Sequence, residues 1–190
     1  MKKVLLVLAG LGALCGAHIS GANEKFAVMV PAVFDPNAPI SDAARRECNV
    51  DTNVGTQVFE RVGERYPGTE RVAKPDPLGE DRTFVKVTLM NVVGHGGGGW
   101  SGPKAITIRT DLLRGPKVIA TRTMNRQSGG GAFGGVMGTC AIFERIAAAL
   151  GRDVAAWLPA ALMSIQYQSA PSEPAPAKAE EKPAAEQKQQ

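Results

Sequence analysis

The chain opens with a segment built to be removed. Lys2 and Lys3 precede an apolar run from Val4 to Leu14, and Ser20-Gly21-Ala22 then supplies small residues where a signal peptidase cuts. This leader constrains everything after it, because it sets the compartment, the redox state of the cysteines and the residue at which the fold begins. Cleavage after Ala22 leaves Asn23 to Gln190 in the periplasm or outside the cell. The leader's apolar run is about eleven residues, against the roughly 20 that a membrane-spanning helix needs. No later stretch reaches that length free of charges or prolines, so no transmembrane segment is expected in the mature chain. Cys15 is not read as a lipid anchor. A lipidated cysteine follows a branched apolar residue at the third position before it and a small residue immediately before it, and here Gly12 and Leu14 stand the other way round.

With Cys15 discarded, Cys48 and Cys140 remain. An even number of cysteines in an oxidising compartment reads as one disulfide. Two buried free thiols, or a bond between molecules, are the competing readings. The formal charge of +4 falls to +2 once Lys2 and Lys3 leave, with twenty basic side chains against eighteen acidic ones. No basic block stands beside interleaved aromatics, so neither nucleic-acid binding nor an electrostatic grip on a membrane surface is indicated.

Three regions follow: a leader over 1–22, one domain over 23–168, and a tail over 169–190. The tail, SAPSEPAPAKAEEKPAAEQKQQ, holds no aromatic residue. It lacks the apolar surface that would offset the entropy of ordering, and its prolines favour an extended, semi-rigid spacer. The domain has ordinary single-domain length. Glu24 to Phe34 predicts a first strand that Pro31 ends or bends. Ser41 or Asp42 can cap a short helix through Glu47, and Asp51 or Thr52 a longer one, in which Val54, Val58, Val62 and Tyr66 recur at helical spacing until Pro67-Gly68 stops it.

A short strand is expected at Glu70–Ala73. Alternation then predicts strands over Thr83–Val93, Lys104–Leu113 and Lys117–Asn125 as an antiparallel meander. A last helix is expected from about Phe133 to Leu158, with Ile142, Ile146, Leu150, Val154, Trp157 and Leu158 on one arc and Pro159 as its limit. The order gives an α+β two-layer sandwich: a mainly antiparallel sheet of four to five strands with two helices on one face.

Chemistry is harder to find. The glycine-rich stretch over 128–139 feeds a helix, and Gly129, Gly130 and Gly131 could present backbone N–H groups to an anion. It lacks the P-loop ending and the Rossmann spacing. A structural reading fits it better: glycines let the strand leave the sheet, and Gly134 and Gly138 would set a bare helix face against it. A second glycine cluster, GHGGGGWSGP over 94–103, forms a long loop that carries His95 and Trp100 as candidate partner-binding residues. His95 is the one histidine beyond the leader, which leaves no zinc set. A Cys–His nucleophile pair would require a reduced cysteine. Asp76, Glu80 and Asp81 read as a solvated loop rather than a calcium site. No cofactor is implied.

RRECNV at 45–50, together with TRTMNRQSGGGAFGGVMGTC and a helix closing in Trp157-Leu158, resembles an uncharacterised family of small exported proteins of Gram-negative bacteria. In such proteins a strand pair is followed by an S-G-G-G-x-F-G-G loop, then G-x-C and a helix ending in W-L. The match covers most of residues 26–158. It implies a bridge between Cys48 and Cys140. More weakly, it implies an α+β domain similar to those of outer-membrane secretion and assembly lipoproteins. Relatives often carry a further cysteine in the last helix, where this chain has Ile142 to Ile146. The resemblance supplies no activity. The expectation from sequence is therefore a non-catalytic accessory domain that binds a protein partner in the cell envelope. A small-ligand or anion binder using 128–139 is the alternative, and a small periplasmic enzyme a more distant one.

Overall fold

The computed structural model describes residues 24–74, 82–94, 102–129 and 137–169. Six strands are described, β1 Phe26–Met29, β2 Val33–Phe34, β3 Glu70–Val72, β4 Thr83–Val93, β5 Lys104–Arg114 and β6 Lys117–Ser128, and two long helices accompany them, α1 Val50–Arg65 and α2 Thr139–Ser169. The strands form one sheet in the order β3-β1-β4-β5-β6, with β2 also paired to β4. The meander β4-β5-β6 is antiparallel throughout, as the alternation predicts. The other half of the sheet is parallel: β1 lies between β3 and β4, and both run in its direction. The fold is α+β, with a mixed sheet.

The predicted first strand divides in two. Val30-Pro31 is a cis peptide, and the chain resumes pairing with β4 at Val33 and Phe34. Ser41 takes the expected capping role, accepting a bond from the Ala44 N–H at 3.3 Å ahead of a π-helical turn at Ala43–Glu47. Neither Asp51 nor Thr52 caps α1. The cap is Asn49, held at φ 46° with no side-chain cap bond. Asparagine tolerates that left-handed backbone better than most residues.

Both helices lie on one face of the sheet. Val54, Val58 and Val62 of α1 and Ile142, Ile146, Leu150, Val154 and Leu158 of α2 join Val28, Val85, Val87, Leu89, Ile106, Ile108 and Leu112 in a single buried cluster. The helices meet closely because Gly151 has no side chain: a Cβ there would stand 2.6 Å from the Gln57 carbonyl oxygen. Gly55 does the same for α1 against the β1–β2 turn, where a Cβ would come within 2.9 Å of the Ala32 nitrogen. Gly138, expected to lie bare against the sheet, has nothing within 4 Å of a Cβ and plays no such part. Gly134 lies outside the described residues.

Pro159 does not limit α2, which runs on to Ser169. Proline removes one intrahelical donor, the one that would reach the Ala155 carbonyl, and usually breaks a helix. Here Leu158 and Ala161 are buried on either side of it, and Leu162 packs against the same core, so tertiary burial carries the helix through. By length and composition alone α2 could cross a membrane, yet half of its most apolar window is buried inside the domain. It is the core helix of this sandwich.

Candidate functional site

Cys48, just before α1, and Cys140, in the first turn of α2, are joined by a disulfide with an S–S distance of 2.02 Å and Cα atoms 4.9 Å apart. Of the competing sequence readings, the intramolecular bridge is the one the structure contains. Both cysteines touch the core cluster. The other sequence candidates are not brought together. Gly129 is described, and a Cβ on it would meet nothing within 4 Å. Gly130, Gly131, His95 and Trp100 lie outside the described residues, as do Asp76, Glu80 and Asp81. Among the described residues there is no histidine, and no three His, Cys, Asp or Glu side chains gather in a way that could hold a metal ion.

The structure shows a different locus, at the sheet's free side. β6 is hydrogen-bonded to β5 on one side and to no described strand on the other. Its two faces differ. Thr121, Thr123 and Asn125 pair across from Asp111, Arg109 and Thr107 on the face away from the helices. That face satisfies itself: the Thr121 hydroxyl donates to Asp111 at 2.8 Å and the Asn125 amide donates to the Thr107 hydroxyl at 2.7 Å. The opposite row, Arg122, Met124 and Arg126, pairs across from Thr110, Ile108 and Ile106 and points to the helix side. Met124 is buried in the core cluster, while Arg122 and Arg126 are exposed.

α2 crosses above this row and leaves a groove of about 350 Å³ between strand and helix, lined by residues 122–126 of β6 and by Asp153, Ala156 and Trp157 of α2. The groove's far end is fixed by a two-pronged ion pair, in which Arg126 Nε and a terminal guanidinium nitrogen donate to the two Asp153 carboxylate oxygens at 2.6 and 2.7 Å. Those bonds, and secondarily the nearby negative charge, raise the pKa of the Arg126 guanidinium above its usual value. Beyond exposed Ala156 the surface continues into a second shallow groove between the helices, lined by Arg61, Glu64, Arg65, Arg152 and Ala155. Arg61 pairs with Glu64 at 2.6 Å. Arg65, Arg122 and Arg152 have no carboxylate partner among the described residues, so the combined surface carries an excess of positive charge.

Sequence reasoning missed this locus. Arg122 fell inside the predicted strand Lys117–Asn125 without a role, Arg126 lay just beyond it, and Trp157 read as one more member of a core arc. The two arginines at matching parity were the available signal, but nothing local said that β6 would be outermost.

No family model matches the chain, and no curated protein matches it. Several solved structures share its outline. The chain is similar to PelC, seen as a dodecamer, from Paraburkholderia phytofirmans, at 14% identity over 69% of this chain and 85% of that one, with a TM-score of 0.46. It is similar to a DUF330 protein from Xanthomonas campestris at 11% identity over 76% and 88% of the two chains, with a TM-score of 0.43. It is also similar to a minor lipoprotein from Acinetobacter baumannii at 9% identity over 72% and 93%, with a TM-score of 0.38. Each is a likeness of outline.

Proposed function

We propose that this chain is an exported, non-catalytic domain of the cell envelope that binds a protein partner through its outer sheet edge. One observation carries the reading: β6, twelve residues long, has no strand partner on its outer side among the described residues and lies beside an open groove. Proteins ordinarily blunt or cover such an edge, because its backbone groups invite another strand. An edge kept long and flanked by a cleft is a binding feature of the kind that strand-adding recognition uses. The leader pattern and the Cys48–Cys140 bond support an oxidising compartment. The bond consumes both described cysteines, so neither is a free thiol. Residues 169–190 serve in this reading as a spacer that lets the domain reach its partner.

The test is photo-crosslinking in intact cells. A photoreactive residue at Val118, half exposed at 50% on β6, is expected to give a discrete protein adduct, and one at Arg46, exposed in the π-helical turn, is not. Absence of any adduct from β6 positions, or a cytosolic product that retains its leader, would sink the reading.

A further inference from the structure

The groove along β6 has the geometry and the charge to specify what fills it. A strand added beside β6 lies about 4.7–4.9 Å away, and its side chains alternate between faces. Every second residue of that strand therefore enters the space between β6 and α2, in line with the row Arg122, Met124, Arg126. Three adjacent environments result. Beside Arg122 the incoming residue meets a guanidinium with no carboxylate partner among the described residues. Two residues further on, beside Met124, it meets the side of Trp157, which is 8% exposed, and the Ala156 methyl. Two further again, it meets the Arg126–Asp153 pair, which is already neutralised.

A second copy of this chain is a poor occupant. β6, KVIATRTMNRQS, contains Lys117, Arg122 and Arg126 and no acidic residue, so antiparallel self-pairing centred on Arg122, Met124 or Arg126 would set arginine opposite arginine, and no register offers either arginine a carboxylate. Arg65 and Arg152 across Ala156, which have no carboxylate partner among the described residues, extend the same sign over the approach to the groove. A field of one sign around a cleft steers oppositely charged partners into it. We infer that β6 takes up an extended acidic segment of a partner protein as an added strand, with a carboxylate facing Arg122 and a small apolar side chain seated over Met124 and Trp157. This rests on the reading that the domain binds a protein through its edge, and it names that partner's chemistry.

The experiment uses the oxidised full-length mature chain and the fluorescein-labelled peptide Thr-Glu-Thr-Val-Thr-Glu-Thr, whose symmetry sets a carboxylate beside Arg122 in either strand direction. Anisotropy is expected to show binding that weakens at least tenfold when both glutamates become lysine, when alternate peptide amides are N-methylated, or when Arg122→Glu is introduced. The lysine peptide is expected to bind Arg122→Glu better than it binds the parent. Arg122→Gln guards against a misfolded charge reversal. It is expected to keep the parent melting temperature and to bind the acidic peptide more weakly than the parent does.

Equal binding of the N-methylated peptide would overturn the added strand. Indifference to Arg122→Glu would overturn the charge assignment. Full competition by millimolar inorganic phosphate, or binding to vesicles with anionic headgroups that Arg122→Glu abolishes, would assign the surface to small anions or to membrane instead. If no peptide binds while Val118 still crosslinks in cells, the acidic strand is wrong and the protein-binding reading stands. If neither occurs, that reading falls first.

Discussion

Breaking the Cys48–Cys140 bond gives the sharpest test of how this domain is held. The bond closes a loop with a sequence separation of 92 residues. In the chain-entropy description, a cross-link over a loop that long removes freedom from the unfolded chain worth about 4–5 kcal/mol at room temperature. Both cysteines sit at the core cluster, so the native state of the unbridged chain is taken to keep that packing. Reduction is therefore expected to cost at least about 2 kcal/mol, allowing for the shortfall commonly seen against the model. For a domain of this size that corresponds to a drop in Tm of roughly 4–8 °C at the lower bound.

The assay is urea unfolding of three samples: oxidised protein, the same protein in reductant, and a Cys48→Ala/Cys140→Ala variant. The entropic origin makes a second demand. The unbridged chain expands further when unfolded, so its urea dependence must be steeper than that of the oxidised protein. Coincident curves for all three samples would refute the reasoning outright. A loss of stability with no change in slope would refute its unfolded-state origin.

Three further outcomes are expected. Thr110 is fully buried on the helix-facing side of β5, and its hydroxyl has no hydrogen-bond partner among the described residues; Thr110→Val is expected to raise stability by about 1 kcal/mol in urea melts, since it removes an unsatisfied polar group at nearly constant shape. Gly151→Ala forces a methyl to 2.6 Å from the Gln57 carbonyl oxygen, so it is expected to cost about 1–3 kcal/mol by prising α1 from α2, and an unchanged melt would mean the helices are not in register as described. Pro159→Ala restores the donor for the Ala155 carbonyl and is expected to stabilise by about 1–3 kcal/mol, with slower amide exchange in the second half of α2; faster exchange there would show that the proline is needed where it stands.

The meander was legible because its residues alternate cleanly. Val85, Val87 and Leu89 fix the helix-facing side of β4, and Ile106, Ile108 and Leu112 do the same for β5, although Phe84 and Thr88 on the other side of β4 are buried as well. The helical arcs were legible for the same reason, since Val54, Val58 and Val62, and Ile142 through Leu158, repeat at the helical period. Partner choice was not. The unbroken apolar run Phe26–Met29, buried on both faces, says that β1 is interior but not that it joins β3 and β4 in parallel, because that depends on where α1 carries the chain. Pro159 misled because local backbone preference lost to the burial of Leu158 and Ala161. Asn49 displaced Asp51 and Thr52 as the cap because the bridge at Cys48 and the turn before it set the entry to α1. The β6 groove was illegible for a further reason. Arg126 and Asp153, 27 residues apart, meet only once α2 has folded over the sheet, and no spacing rule joins a strand arginine to a helix aspartate.

The central place of β1 has a consequence for how the domain assembles. Phe26 to Met29 are among the earliest residues of the fold to be made, yet the strands on both sides of them come from positions 70–72 and 83–93. Until those emerge, a short run of bare, sticky backbone waits with nowhere to pair. Such distant matching makes for slow acquisition of structure and leaves a window in which a holding chaperone, or another nascent copy, can reach the segment first.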